Sequence, residues 1–169
     1  MNRKKDSTHL PSDEELRGLT LSLIAQQKTM TLATAKGGAA WAAPVYYVFS
    51  NSSFYFFSAP DSRHIQESSQ SHQASAAIHA AARTWREIQG IQMAGLIQPV
   101  PPGPQAIQVF GAYLKRFHLT KEFFEGGASF DLESFALRFR VKLYKFKPTE
   151  VYYLDNQIHF GFRGRILNW

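Results

Sequence analysis

The chain has no cysteine among its 169 residues. Disulfide frameworks, thiolate nucleophiles and cysteine-ligated zinc or iron–sulfur sites are therefore excluded, and any chemistry must use other groups. Long apolar runs are missing too. No stretch approaches the roughly 20 residues that cross a bilayer, and the basic start Arg3-Lys4-Lys5 is not followed by the apolar segment of a secretory leader. The expectation is a cytoplasmic protein. Acidic residues are the third shortage: 13 Asp and Glu stand against 19 Lys and Arg, for a formal charge of +6. Such a charge attracts anions without saying whether they are nucleic acid or small ligands. Position decides. Arg3, Lys4 and Lys5 fall in a flexible tail expected over residues 1–11, while Arg138, Arg140, Lys142, Lys145 and Lys147 lie along what reads as one late strand, mostly at alternating positions. A solvated strand face explains these better than nucleic-acid binding.

What is present is apolar and aromatic residue, 44% and 14% of the chain, enough for one sizeable core and one domain over residues 12–169. Ser12-Asp13-Glu14-Glu15 reads as a capping box, and Leu16, Leu19, Leu23 and Ile24 recur behind it at helical spacing to about Gln27. Strand character follows over Thr29–Ala35, Ala40–Phe49 and Phe54–Ser58, separated by Lys36-Gly37-Gly38 and Asn51-Ser52-Ser53, an antiparallel meander. Ala74–Ala81 and Arg86–Val100 read as two further strands. The proline-rich stretch from Gln98 to Pro104 is a stiff connector, and Ile107–Phe124 is a helical excursion ended by Gly126-Gly127. Phe135–Lys147 alternates apolar and basic residues as a half-buried strand closed by Pro148, and Val151–Leu154 with Ile158–Phe162 makes a final hairpin around Asp155-Asn156. The sum is a mainly β (α+β) chain of about seven antiparallel strands with peripheral helices, a barrel rather than a sandwich.

The segment that points to chemistry is Phe56-Phe57-Ser58-Ala59-Pro60-Asp61-Ser62-Arg63-His64, a strand running through a turn into a short helix capped by Asp61 or Ser62 and reaching about Ser71. Free backbone N–H groups at a helix start, a guanidinium, two hydroxyls and an imidazole suit a phosphate monoester. The same residues suit a plain cap and a surface charge equally well. Histidine offers no metal signature: His72 and His79 are too far apart for one helical face, and no His-Glu-x-x-His exists. No acid–base dyad is visible either.

The order of elements separates the two readings of the turn. Met30-Thr31-Leu32-Ala33-Thr34-Ala35, a glycine turn, Trp41-Ala42-Ala43-Pro44-Val45-Tyr46-Tyr47, the strand ending at Ser58 and then Ser62-Arg63-His64 resemble the FMN-binding split-barrel family that includes pyridoxamine-phosphate oxidase, over roughly Thr29 to Val100. The ending Tyr153-Leu154-Asp155-Asn156 with Phe160-Gly161-Phe162-Arg163 is similar to a small uncharacterised branch of that superfamily. The resemblance implies an antiparallel split β-barrel with FMN as cofactor. It implies flavin contacts from Ala33, Thr34, Ala43, Pro44, Val45, Tyr46, Phe57 and Ser58, a phosphate grip from Ser62, Arg63 and His64, and a polar contact from Gln89 or Gln92. It also implies a homodimer with the flavin between subunits and an oxidoreductase acting on a small molecule. His64 stands where the oxidase has lysine, so part of the phosphate grip would depend on protonation of an imidazole; Tyr47-Val48 replaces its substrate-facing lysine and its later Arg-Pro signature is absent, which argue against pyridoxamine phosphate as substrate. Trp41, Tyr46, Tyr47 and Trp85 are candidates to stack on a ring or to fill the core and an interface. Two other classes stay open: a haem-binding or haem-degrading split barrel, with His9, His64, His72, His79, His118 and His159 as ligand candidates, and a non-enzymatic binding module.

Overall fold

The computed structural model describes residues 10–118 and 131–169. Helix α1 (Asp13–Gln26) begins on the box: Ser12 Oγ accepts the Glu15 N–H at 3.3 Å and the Glu15 carboxylate accepts the Ser12 N–H at 2.8 Å. Leu16, Leu23 and Ile24 are buried, but Leu19 is 38% exposed. Its expected place on the apolar face goes to Thr20, whose hydroxyl escapes the cost of burial by donating to the Leu16 carbonyl at 2.7 Å.

Eight strands follow: β1 (Thr29–Lys36), β2 (Ala39–Tyr46), β3 (Val48–Ser50), β4 (Ser53–Ser58), β5 (Gln73–His79), β6 (Gln89–Pro99), β7 (Lys142–Asp155) and β8 (Arg163–Arg165). The helices between them are α2 (Arg63–Ser68), α3 (Pro104–Phe117) and α4 (Leu132–Phe139). All pairings are antiparallel, in the order β2-β1-β5-β6-β7-β4-β3, with β8 pairing β7 off this path. The edge strands β2 and β3 are consecutive in the chain and separated by Tyr47 alone. The sheet must therefore curl until its two edges approach, which makes a split barrel. The single strand expected over Ala40–Phe49 is thus two strands belonging to opposite edges. Among the described residues no helix is long and apolar enough to cross a membrane.

Strand β4 explains its own composition. Phe54 and Phe56 are fully buried inside the barrel, while Tyr55 and Phe57 point to the other face, where α3 and α4 cover them. Covered on both faces, β4 needs no polar alternation.

The late chain differs most from expectation. Asp131 accepts the Ser134 N–H at 2.8 Å and starts α4, which ends at Arg140 in the left-handed conformation (φ 52°). The apparent period of two over Phe135–Lys147 is a helix followed by a strand, because the cap and the Leu132/Phe135/Phe139 spacing prevail over the alternation. Arg138 and Arg140 accordingly leave the strand that carries Lys142, Lys145 and Lys147. Nor does Pro148 end that strand. Gly95 pairs with Pro148 and Ala94 with Glu150, so Thr149 is an extra residue, a bulge where a proline is tolerated. Val151–Leu154 continues β7, Ile158–Phe162 is turn rather than strand, and β8 comes just after it. Other boundaries move less. A 3-10 turn (Trp85–Glu87) occupies the start expected for β6, α2 stops at Ser68, and α3 starts early, with proline in its first turn, and ends at Phe117. The expected helical remainder to Phe124 and the Gly126-Gly127 break lie outside the described residues, as does the expected tail before Leu10.

The bulge makes Gly95 irreplaceable. A Cβ there would penetrate the Lys147 carbonyl oxygen and sit 2.9 Å from the buried Phe146 ring, so Gly95→Ala is expected to destabilise the fold by about 1–3 kcal/mol or more. Gly111→Ala in α3, where a Cβ meets nothing within 4 Å, is expected to stabilise by about 0.5–1 kcal/mol. Chemical denaturation of the two variants checks both signs.

Candidate functional site

Strand β4 delivers Ser58 to the barrel end, and the turn through Pro60 brings Ser62 to the N-cap of α2. Ser58 Oγ lies 2.9 Å from Ser62 Oγ and 2.9 Å from His64 Nε2, and Ser62 Oγ donates to the Ala59 carbonyl at 2.8 Å. Ser62 thus closes the turn and makes no side-chain cap on α2. His64 is buried, and that burial lowers its pKa, partly offset by the negative charge of Glu67. The imidazole expected to share the phosphate grip is instead a neutral internal partner of Ser58.

Arg63 is on the open side. Its Nε donates to Glu67 Oε1 at 2.6 Å, its guanidinium lies 4.6 Å from the centre of the Trp41 ring, and its side chain is 46% exposed. The other Glu67 oxygen accepts the Thr34 hydroxyl at 2.7 Å. The Thr34 hydroxyl, then Arg63, and more distantly Lys36 hold the Glu67 carboxyl below its usual range. Glu67 and Lys36 were not anticipated. The signal for Glu67 was present, four residues after Arg63 on a helix.

The remaining nominated residues divide between two faces. Ala33, Pro44, Tyr46 and Gln92 lie on the outer face of the sheet; Thr34, Ala43 and Val45 point inward. Gln89 also turns inward, where its Nε2 donates to the buried Asp155 at 2.9 Å, so that side chain is committed to the fold. Phe57 packs edge-on to Phe110, Tyr113 and Phe135, and Tyr46 packs against Phe117 at 5.1 Å. Phe57 therefore belongs to the helical cover. The outer face over β2, β1, β5 and β6 is a floor of small residues, among them Ala33, Ala35, Ala40, Ser75 and Ala94. A hollow of about 570 Å³ opens on it, lined by these residues with Thr34, Ser71, Gln73 and Thr149. A larger hollow of about 990 Å³ between α3 and α4 contains none of the nominated residues.

Histidines do not assemble a ligand set. His72, His79, His118 and His159 are exposed at four separate places, and His9 lies outside the described residues. Among the described residues no three His, Asp or Glu side chains group to hold a metal.

With this geometry in view, the sequence pattern for pyridoxamine 5'-phosphate oxidase matches residues 17–155. The chain belongs to the pyridoxamine 5'-phosphate oxidase family. No curated protein matches it in sequence. Among solved structures, a haem-binding protein of Mycobacterium smegmatis superposes with a TM-score of 0.67 at 17% identity over 93% of the chain, which spans only 58% of that protein's length. HutZ, the haem storage protein of Vibrio cholerae, gives 0.62 at 15% identity, covering 80% of this chain and 92% of that one. An FAD-binding protein of Mesorhizobium loti gives 0.52 at 20% identity, covering 78% and 88%. At these identities the likeness establishes the split-barrel fold.

The arrangement offers an exposed guanidinium and a hollow floored by small residues; among the described residues it holds no nucleophile–base pair aimed at open space. Its titrations bear on stability. His64 is harder to protonate folded than unfolded, so its contribution is complete above its ordinary value of 6.5 and is lost as pH falls below that toward the lowered value. Glu67 contributes above its ordinary 4.5 and is lost as pH falls toward its own lowered value. The melting temperature is expected to fall in two stages on acidification. In His64→Gln the earlier stage disappears and the later one remains.

Proposed function

We propose that the chain binds FMN as a flavoprotein oxidoreductase acting on a small molecule other than pyridoxamine phosphate. The observation that carries this reading is the double role of Thr34. Its backbone borders the small-residue hollow on the outer face of the sheet, while its inward hydroxyl, through Glu67, anchors the exposed Arg63. A place for a flat ring and a cation for a phosphate thus adjoin the same residue of β1, from its two faces. The residues fit the group: among the described residues Arg63 has no protein partner for its terminal nitrogens, and alanines leave the floor unobstructed. Arg63, with the Ser62 turn, would hold the phosphate, and the backbone at Ala33 and Thr34 would border the ring. A bound flavin supplies hydride or electron transfer, and the protein supplies orientation and exclusion of water.

The uncovered outer face also supports a homodimer built on β2, β1, β5 and β6, which would roof the hollow with a second copy. Sedimentation of the purified protein is expected to give twice the chain mass of 19.2 kDa, and a monomer at all concentrations would remove this arrangement.

A haem-binding reading has a specific support of its own, the fold shared with the Mycobacterium smegmatis and Vibrio cholerae haem proteins. The scattered histidines give it less local support than Thr34 and Arg63 give FMN. One titration separates them. Adding FMN is expected to produce a bound flavin spectrum, and Arg63→Ala to weaken binding by about 1.5–3 kcal/mol, the value of a hydrogen bond to a charged group. A Soret band on adding haem, with no response to FMN, would reverse the assignment.

A further inference from the structure

We infer that Glu67 is the positioning and selectivity residue of the anion site: it grips Arg63 by Nε so that the terminal nitrogens face a ligand, and its charge limits affinity for doubly charged phosphate monoesters. The inference rests on the FMN reading and deepens it.

An ion pair four residues apart on a helix is ordinarily a surface feature of little weight. This one is built differently. The Glu67 side chain is 7% exposed against 46% for Arg63, so the carboxylate is the fixed partner. Its second oxygen is held by Thr34, itself buried on β1, and the guanidinium rests on Trp41 of β2. Three elements thus fix one exposed guanidinium in a single orientation, engaged at Nε and open at its far end. Positioning of this kind suits two parallel hydrogen bonds to an oxyanion.

The same contact sets a limit. A phosphate monoester near neutral pH brings close to two negative charges, and it would meet a guanidinium already paired with a carboxylate. His64 adds no cation, being turned inward onto Ser58. Lys36 is the further basic group whose field reaches Glu67. A site so arranged holds its phosphate reversibly, as an exchangeable ligand.

The test compares FMN with riboflavin, which has the ring without the phosphate, using flavin fluorescence on wild type, Glu67→Gln and Glu67→Ala, each first confirmed folded by circular dichroism. Glutamine keeps an oxygen for Nε and removes the charge, so FMN is expected to tighten by at least about fivefold, the effect of one unit charge a few ångströms away, with riboflavin unchanged. Alanine removes charge and grip together and is expected to bind FMN more weakly than glutamine. An FMN-to-riboflavin ratio that does not move in Glu67→Gln, or identical behaviour of the two variants, overturns the inference. If wild type binds neither flavin, the FMN reading fails, and Glu67 is judged on the Arg63 Nε–H nuclear magnetic resonance signal titrated with inorganic phosphate. A steeper response in Glu67→Gln than in wild type then upholds its role, and equal or absent responses refute it.

Discussion

Strands β2 and β3 lie at opposite edges of one sheet, yet only Tyr47 separates them. That residue must turn the chain from one edge to the other, and its surroundings are built to hold it. The ring is fully buried, and the hydroxyl is shared between the Ile24 and Gln27 carbonyls at 2.7 and 2.9 Å. Arg116 of α3 donates to the Ile24 and Ala25 carbonyls at 3.2 and 3.3 Å and to that of Gln27, with its guanidinium over the Tyr47 ring. Helix α1 has no basic residue in its last turn, so the carbonyls left open at its end are satisfied by the barrel's closure point. Burial pushes the Tyr47 phenol up to about 12, and it remains a donor throughout the physiological range. Barrel closure, the end of α1 and the seat of α3 are one structural event.

Local signals along the chain were legible where one short-range interaction decides the outcome. The capping box at Ser12 and the turns at Lys36-Gly37-Gly38 and Asn51-Ser52-Ser53 are interactions within four residues, and each element stands where those residues put it. The break at Tyr47 was not legible, because Val45-Tyr46-Tyr47-Val48 has uniform strand propensity and only the distant strand partners distinguish its two halves. The late chain misled for a different reason. Between Phe135 and Lys147 aromatic and basic residues alternate in a way that serves helix and strand equally, and Asp131, which settles the matter, precedes the stretch that shows the pattern. Pro148 would end an ordinary strand; here the bulge at Thr149 accommodates it.

In the candidate site, residue identity was readable and direction was not. Ser62, Arg63 and His64 adjoin in sequence, but on a single helical turn adjacent side chains point about 100° apart, so Arg63 opens outward while His64 enters the protein. A side chain's reach likewise depends on its face. Gln89 and Gln92 belong to one strand, yet they sit on opposite sides of it, and only the inward one meets Asp155. Faces of a strand follow once the register is known, and the register came from partners that the linear order does not name.

Among the described residues, several basic side chains lie away from the turn that would grip a ligand. Lys142, Lys145 and Lys147 lie along β7, and Arg165 of β8 pairs with Glu150 at 3.4 Å while Arg163 lies 3.9 Å from the Tyr152 ring centre. At the turn itself Arg63 is balanced by Glu67, and His64 is kept neutral by burial. Scattered basic groups raise the local concentration of anions, an effect screened over about 10 Å in ordinary salt. Discrimination among anions would fall to the few groups at contact distance, where a guanidinium held by a carboxylate and an indole face would present paired donors in one fixed geometry.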